Sequence, residues 1–191
     1  MPAPSAAWMR FLARERFGHF VLRAPRRYAV ARYEGFIDGM CEAICAAWSQ
    51  WQSQTLLGGL VVEGGRASGG KAIGPAWGPL ILARAPKQSD WERRRAEAIA
   101  QALGEVWGGY VNSFRAFGLA EGKAPLSALG QAAACLEAAS LVSRMALVLG
   151  KRRAHLDSEM FMSVADAFVQ CFRGWQAGTR ISVSGSGARF E

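Results

Sequence analysis

Among the aromatic pairs that lie three positions apart in the chain, three recur at nearly even spacing, and no other feature of the sequence restricts its possible folds as strongly. The pairs are Trp48 and Trp51, Trp107 and Tyr110, and Phe172 and Trp175. Residues at i and i+3 lie on the same face of a helix, so each pair predicts a helix with one aromatic face. For any single helix, such a stripe is explained by ordinary core packing.

The three segments are also nearly evenly spaced and share flanking residues. An alanine and a larger apolar residue come before each pair: Ala43-Ile44, Ala102-Leu103 and Ala167-Phe168. Glutamine and threonine follow the first and last pairs, and β-like residues with a glycine turn come next: Gln52, Thr55, Gln176 and Thr179. This recurrence favours an internally duplicated unit in which a helix is followed by a strand.

Apolar periodicity predicts the remaining helices. Ser89 and Glu92 have the spacing of a capping box, which predicts that a helix begins there. Residues 125–150 are apolar almost all round and predict a central core helix, and a last helix is expected from about Asp157. The predicted fold class is mainly α with small β-hairpin elements and four to five helices.

Residues 57–82 read LGGLVVEGGRASGGKAIGPAWGPLIL and predict a glycine-hinged hairpin. Leu60-Val61-Val62 has the composition of a short strand. The second strand is expected over residues 71–82, where two Gly-Pro steps make it irregular and suit it to an edge position.

The same stretch contains a near match to a phosphate-binding loop. Gly65 to Lys71 fits the spacing G-x-x-x-x-G-K, but the next residue is Ala72, which lacks the hydroxyl that would bind magnesium. A helix should also begin after the lysine, whereas Gly74-Pro75 and Gly78-Pro79 argue against one. We therefore interpret the run as a hinge, with no nucleotide site.

The sequence predicts no catalytic, cofactor-binding or metal-binding residue. The cysteines form no CxxC pair, and the two histidines do not complete a metal-ligand set: Cys41, Cys45, Cys135, Cys171, His19 and His155. No nucleophile elbow occurs outside the glycine tail. The thiols suit a reducing compartment, and the N-terminus has no apolar secretory core. We expect a cytoplasmic protein, free or within an assembled particle, with no transmembrane segment.

Basic residues are concentrated near the N-terminus. The chain carries a net charge of +8, and residues 1–35 contain seven arginines against two glutamates: Arg10, Arg14, Arg16, Arg23, Arg26, Arg27 and Arg32 against Glu15 and Glu34. Aromatic residues alternate with these arginines. The pattern predicts a basic arm over residues 1–35, followed by a single helical domain over 36–191. The arm suits an acidic partner subunit, nucleic acid or an anionic lipid surface.

Several short runs resemble a family of small uncharacterised bacterial proteins. The resemblance covers residues 36–190 and rests on these runs: Ala47-Trp48-Ser49-Gln50-Trp51-Gln52, Gly69-Gly70, Gly74-Pro75, Gly78-Pro79-Leu80-Ile81, Ala98-Ile99, Trp107, Trp175-Gln176 and Gly185-Ser186-Gly187. It implies a structural role in phage-tail-like or secretion-type particles and no catalytic role. The chain departs from the family at residues 117–123, where a proline-rich stretch is expected.

These features together predict a non-enzymatic structural subunit of a homo-oligomer or larger particle. The surplus of aromatic residues and the strands of the hairpin support it. Self-association is expected through five residues of the predicted hairpin: Leu60, Val62, Trp77, Leu80 and Ile81. The alternatives are a polyanion- or nucleic-acid-binding module that uses the basic arm and, third, a nucleotide-binding enzyme.

Overall fold

The structure is a computed structural model that describes residues 2–21, 27–111, 117–125, 136–150, 155–184 and 187–190. Within these residues the chain forms six helices: α1 (Ala6–Val21), α2 (Arg27–Gln54), α3 (Trp77–Arg84), α4 (Asp90–Val111), α5 (Ala138–Leu149) and α6 (His155–Gly178). It also forms six strands: β1 (Leu56–Glu63), β2 (Arg66–Ile73), β3 (Phe117–Gly118), β4 (Lys123–Pro125), β5 (Arg180–Ser184) and β6 (Gly187–Phe190). The prediction of a mainly helical fold with small β elements is confirmed, although the predicted number of helices was too low.

The order of elements repeats along the chain. A short helix, a longer helix and two strands occur in succession three times, as α1-α2-β1-β2, α3-α4-β3-β4 and α5-α6-β5-β6. Each short helix packs against the long helix of its own unit and against that of the preceding unit, so that α1 contacts α2 and α6, α3 contacts α4 and α2, and α5 contacts α6 and α4. The three units therefore pack in a ring.

The strands follow the same cyclic rule in a six-stranded antiparallel sheet of order β3-β2-β1-β6-β5-β4. The first strand of each unit pairs with the second strand of the preceding unit, which joins β1 to β6, β3 to β2 and β5 to β4. At each of these joints a large apolar residue is in register with an alanine: Leu57 with Ala188, Phe117 with Ala67, and Ile181 with Ala124. The sheet thus links all three units.

The regular alternation of buried and exposed residues in β1 is interrupted where a glycine of β1 lies opposite a glycine of β2. Leu57 and Leu60 are both buried although three positions separate them, whereas a regular strand would place them on opposite faces. Gly59 and Gly70 lie opposite each other with φ of 76° and 95°, a backbone region that residues with a side chain seldom adopt. A Cβ at Gly70 would also lie 2.7 Å from Leu60 Cδ2. Glycine at these positions lets β1 place both leucines against the helices.

Three aromatic rings, one from each long helix, meet in the centre of the core. The ring centroids of Trp48 and Trp107 are 5.2 Å apart, those of Trp48 and Phe172 are 6.2 Å apart, and those of Trp107 and Phe172 are 5.8 Å apart. All three side chains are buried. The first member of each predicted aromatic pair therefore belongs to one cluster, which we call the aromatic triad.

The second member of each pair packs edge-on against the triad ring of another unit. The three contacts are Trp51 with Trp107 at 4.9 Å and 87°, Tyr110 with Phe172 at 5.1 Å and 90°, and Trp175 with Trp48 at 5.3 Å and 71°. Edge-to-face geometry is favourable because the positive edge of one ring meets the negative face of the other. The contacts run in one direction around the ring of units and tie each unit to the next.

A buried polar network joins the three long helices near their first turns, at the ends distant from the strands. Arg95 on α4 donates through Nε and Nη2 to the two carboxylate oxygens of Asp157 on α6, at 2.7 and 2.6 Å. The Tyr33 hydroxyl on α2 donates to Asp157 Oδ1 at 2.9 Å. Burial, followed by the nearby Asp157, raises the pKa of Tyr33 to about 12. Each unit thus contributes one residue to this network.

The residues at the starts of α4 and α3 explain why these helices begin where they do. The predicted capping box is confirmed, since Glu92 N–H donates to Ser89 Oγ at 3.2 Å and Ser89 N–H donates to Glu92 Oε2 at 3.0 Å. Helix α3 begins at Trp77, so the second strand expected over 71–82 is wrong beyond Ile73. Pro79 lies in the first turn of α3, where a residue without an N–H is tolerated because that donor has no helical partner.

The predicted helix over residues 125–150 is wrong in its starting point. Residues 126–135 lie outside the described part of the chain. Pro125 ends β4, and the helix that follows begins at Ala138. Helix α5 buries Leu141 and Met145, whereas Leu147 is 82% exposed, so α5 covers the core from outside. Its apolar composition concealed this position, because the sequence does not show which apolar face is packed.

The division into an arm and a domain does not match the packing of the described residues. Helix α1 contributes Met9, Leu12, Ala13 and Phe17 to the core. The predicted boundary between residues 35 and 36 falls within α2. The described residues of this region therefore belong to the same core as the rest of the chain.

The buried network supplies a stability prediction. Asp157→Ala would leave the Arg95 guanidinium buried without its partner, and we expect it to lower the free energy of unfolding by about 3–5 kcal/mol. The matched control is Glu42→Ala, which removes the carboxylate of the exposed Arg10–Glu42 pair and should cost less than about 1 kcal/mol. Urea denaturation followed by circular dichroism measures both; equal costs would contradict the structural role of the network.

Candidate docking surface

Exposed apolar side chains are concentrated on the hairpin formed by β1 and β2. Four large ones lie there: Leu56 (42% exposed), Val61 (54%), Val62 (43%) and Ile73 (62%). We call these residues the hairpin surface. Leu56 and Ile73 stand directly opposite each other in the strand pair. Grouped exposed apolar residues are typical of a surface that contacts another molecule.

The outer edge of β1 is paired over only part of its length in the described residues. In the described residues, β6 pairs with β1 at Leu57 and Gly58, and β3 pairs with β2 at Arg66 and Ala67. No described strand pairs with the opposite side of β1 at Val61 and beyond. An unpaired strand edge presents backbone N–H and C=O groups that another strand can use, so this edge of β1 suits a contact with another chain.

The five residues predicted for self-association are divided between the surface and the core. Val62 is exposed and lies on the hairpin surface, and Leu80 is half-buried. Leu60, Trp77 and Ile81 are buried, so they are not available to a partner. Trp77 packs against the aromatic triad, with its ring centroid 4.4 Å from that of Trp107. The sequence did not indicate that Trp77 and Ile81 are buried, because residues 77–82 were expected to form a strand, whereas they form a helix whose apolar face covers the core.

A concave region crosses the outer face of the sheet, which is the face turned away from the helices. Its volume is about 580 Å³. The residues that shape it are Leu56, Gly58, Ile73, Ser182, Gly187 and Arg189; we call it the sheet groove. Gly58 and Gly187 are in register and form its floor, where no side chain rises from the backbone. A Cβ at Gly58 would lie 2.6 Å from Ile73 Cδ1, so the isoleucine side chain extends over this glycine.

The sheet groove has one apolar wall and one polar wall. Leu56 and Ile73 form the apolar side, and Ser182 and Arg189, which are in register with each other, form the polar side. Arg189 is exposed and forms no ion pair in the described part of the chain. Such a groove provides an apolar contact beside an unneutralised cation. The sequence did not reveal it, because its walls come from strands at opposite ends of the chain.

Three of the arginines predicted for polyanion or partner docking have carboxylate partners: Arg10, Arg14 and Arg16. Arg10 pairs with Glu42 at 2.8 Å and Arg16 pairs with Asp166 at 2.9 Å. Arg14 contacts two acids, as described next. These pairs lie partly exposed on the surface of the helical layer and neutralise much of the charge that the sequence places there.

Arg14 has the most extensive set of contacts. It pairs with Asp38 at 2.6 Å and with Glu34 at 3.1 Å, and the hydrogen bond to Asp38 raises its pKa. Arg32 lies over the Trp91 ring, 4.2 Å from the centroid. Of the other predicted arginines, Arg23 and Arg26 lie outside the described residues, and Arg27 begins α2 with its side chain outside them. Counting charges along the sequence could not show these pairings, because the acids come from other helices.

The run from Gly65 to Lys71 does not have the geometry of a phosphate loop. Residues Arg66 to Ile73 form β2, and Lys71 is in register with Gly58 of β1. No helix begins after Lys71 until Trp77. The turn lies at Gly64 and Gly65, both with positive φ, so the interpretation of Gly65 to Lys71 as a hinge is wrong beyond Gly65.

A second cavity, of about 420 Å³, lies beside the start of α3. Its walls include Trp51, Trp77 and Trp107 together with Lys71 and Glu105. Glu105 is already engaged, since it accepts a hydrogen bond from Gln101 at 2.9 Å and pairs with Arg144 at 3.3 Å. The cavity therefore offers mainly aromatic surface with one unpaired lysine at its rim.

Three cysteines lie together in the core of the described structure. Cys41, Cys45 and Cys171 are buried, whereas Cys135 lies outside the described residues. Burial raises the pKa of Cys45 to about 12 and that of Cys171 to about 11, and it raises the pKa of Cys41 further. In the described residues no three histidine, cysteine or acidic side chains are grouped so that they could hold a metal ion.

Comparison with known proteins adds no assignment: no family model, curated protein or solved structure matches the chain. The resemblance to the bacterial family therefore stays a prediction. Among the described residues, no helix is both long enough and apolar enough to cross a membrane.

Core and surface positions of the hairpin region should respond differently to truncation. Trp77→Ala would open a cavity beside the aromatic triad, and we expect a loss of about 3–5 kcal/mol in the free energy of unfolding. Val61→Ala, on the hairpin surface, should change it by less than about 0.5 kcal/mol. Urea unfolding measures both variants. A Trp77→Ala cost as small as that of Val61→Ala would place the ring outside the core.

The buried thiols should be unreactive in the folded protein. In a Cys135→Ser background, we expect Cys41, Cys45 and Cys171 to react with iodoacetamide at about pH 8 far more slowly than in urea, because the thiolate is the reactive form. Burial raises the folded-state pKa values of Cys45 and Cys171 above the ordinary value of 9.0. Folding is therefore favoured by keeping these thiols neutral at pH values below 9.0, and this contribution to the free energy of unfolding is lost as the pH rises through about 11 to 12. Rapid native-state labelling, read by mass spectrometry, would contradict this.

Proposed function

We propose that the protein is a non-enzymatic structural subunit that associates with other copies, or with other subunits of a larger particle, through the hairpin surface. One observation carries the proposal: the exposed apolar residues Leu56, Val61, Val62 and Ile73 lie on one strand pair, whose β1 edge has no described partner beyond Gly58. Burying such a surface against another chain removes apolar area from water, which is the main favourable contribution to protein association.

The mode of contact follows from the strand geometry. Beyond Gly58, β1 has no described partner on the side away from β2, so its backbone is available to pair with a strand of another chain. Strand addition of this kind combines main-chain hydrogen bonds with contacts from alternate side chains. Val61 and Val62 project to opposite faces of the ribbon, and a partner strand would bring its own side chains beside both.

The alternative of a polyanion-binding module has less support. Arg10, Arg14 and Arg16 are matched by carboxylates of α2 and α6, so binding a polyanion there would require breaking ion pairs already formed. That alternative rests on Arg23, Arg26 and Arg27, whose side chains lie outside the described residues, and on Arg32, which contacts the Trp91 ring. The nucleotide-binding alternative is further weakened, because the glycine run expected to cradle phosphate is paired as a strand. Placement in a phage-tail-like or secretion-type particle rests on the family resemblance alone.

Disrupting the hairpin surface should separate association from folding. Val61→Glu places a charge on the exposed apolar ribbon, and we expect it to lower the oligomer mass measured by analytical ultracentrifugation at tens of micromolar. The circular dichroism spectrum and the midpoint of urea unfolding should stay close to those of the native chain, because Val61 contributes little to the core.

Leu147→Glu is the matched control, since it places the same charge on an exposed apolar residue of α5. It should leave the oligomer mass unchanged. A native chain that sediments as a monomer throughout this concentration range would contradict self-association. An equal effect of the two variants would show that general repulsion, and not the hairpin surface, controls the mass.

A further inference from the structure

We infer that the sheet groove is a second binding site, which takes an acidic peptide segment of a partner protein with an aliphatic side chain next to a carboxylate. This inference goes beyond the proposed association through the hairpin surface, because it concerns the outer face of the sheet and names the chemistry of the partner. It rests on the shape of the groove, on the division of its walls and on its charge.

The shape suits an extended peptide. The floor is made by Gly58 and Gly187, which are in register where β1 meets β6. The Ile73 side chain covers Gly58, so a bound chain can approach the sheet backbone closely at Gly187. The volume of about 580 Å³ falls within the range of about 300–1,000 Å³ usual for ligand clefts. A groove of this size holds the side chains of a few residues and is open on the solvent side.

The walls specify two kinds of side chain. Leu56 and Ile73 lie opposite each other and are 42% and 62% exposed, so they offer aliphatic contact area that water now covers. Across the floor, the Arg189 guanidinium is a planar donor suited to a carboxylate, and Ser182 stands in register beside it. A peptide with an aliphatic residue and an acid side by side satisfies both walls.

The charge of this face selects an acidic partner. Arg189 lines the groove, is exposed and has no ion pair in the described part of the chain, unlike the described arginines of α1. Since exposed cations without counter-ions attract anionic partners and set the rate and specificity of their binding, the groove favours an acidic segment.

The charge also argues against a second copy of the chain as the occupant. The chain carries a net charge of +8, and two copies placed groove to groove would bring the Arg189 side chains of both together. Like charges brought together at an interface are unfavourable. The hairpin surface and the sheet groove share Leu56 and Ile73. Val61 and Val62 belong only to the first, which contacts a copy or a neighbouring subunit, and Ser182 and Arg189 belong only to the second, which holds an acidic segment.

The test uses a short fluorescent peptide that alternates leucine with glutamate, and its binding to the full chain is followed by fluorescence anisotropy. We expect saturable binding that weakens as salt is raised. Replacing the leucines by serine, or the glutamates by lysine, should abolish it. Arg189→Glu should weaken binding by at least about tenfold, because it reverses the charge that meets the carboxylate. Arg173→Glu is the matched control on the exposed part of α6 and should have little effect.

A second variant tests the shape independently of charge. A side chain at Gly187 would meet no atom closer than Leu57 O at 3.4 Å, so Gly187→Val should fold while filling the floor of the groove. We expect it to abolish peptide binding and to leave the urea midpoint nearly unchanged. If it unfolds the chain, the peptide substitutions and Arg189→Glu still decide the question.

Three outcomes would overturn the inference. They are no measurable binding of the peptide, equal losses with Arg189→Glu and Arg173→Glu, and competition in which anionic lipid vesicles or single-stranded DNA displace the peptide through Arg189. Failure here is distinct from failure of the proposed association, because Val61 does not line the groove. Val61→Glu should lower the oligomer mass without affecting peptide binding, and Arg189→Glu should do the reverse.

Discussion

The aromatic triad of Trp48, Trp107 and Phe172 is the contact on which the remaining structure depends. Each ring comes from the long helix of a different unit, and each receives the edge of an aromatic residue from another unit. Rings of this size bury a large apolar area and also prefer defined angles, so they fix both the distance and the rotation of the helices. Once the long helices are placed in this way, the strands that follow them must meet at one end of the bundle.

The buried network of Tyr33, Arg95 and Asp157 acts at the other end of the same helices. Apolar packing tolerates exchange of similar side chains, whereas a bidentate pair with both partners buried accepts one arrangement only. Its contribution to net stability is modest in general, because desolvation offsets most of the attraction. Here the network fixes how the long helices are aligned with each other, because its three side chains meet only when the three units are aligned in one way.

The sequence predicted those features that depend on local spacing. The aromatic pairs, the capping box at Ser89 and Glu92, and the last helix were expected from residues a few positions apart, and the structure agrees with them.

The prediction of a second strand over residues 71–82 was wrong, because two Gly-Pro steps are equally compatible with an edge strand and with the first turn of a helix. Apolar residues from Trp77 to Leu82 suit either form, and only packing against Trp107 decides between them. The ion pairs of Arg14 and the sheet groove both join distant parts of the chain, so no local pattern contained them.

The three units follow one plan, and the candidate docking surface arises where they differ. Strands β3 and β4 are short, and β5 and β6 are of intermediate length, whereas β1 and β2 each span eight residues. A ring of equal units would pair each hairpin fully with its neighbours. Strand β1 instead extends past β6, and Val61 and Val62 have no described cover from the same chain. Leu60 and Ala67 in this part of the hairpin are buried, whereas the two valines add little to the core. Apolar strand length that serves neither the core nor the sheet costs solubility unless another chain covers it, and this imbalance is the physical basis for assigning the hairpin to assembly.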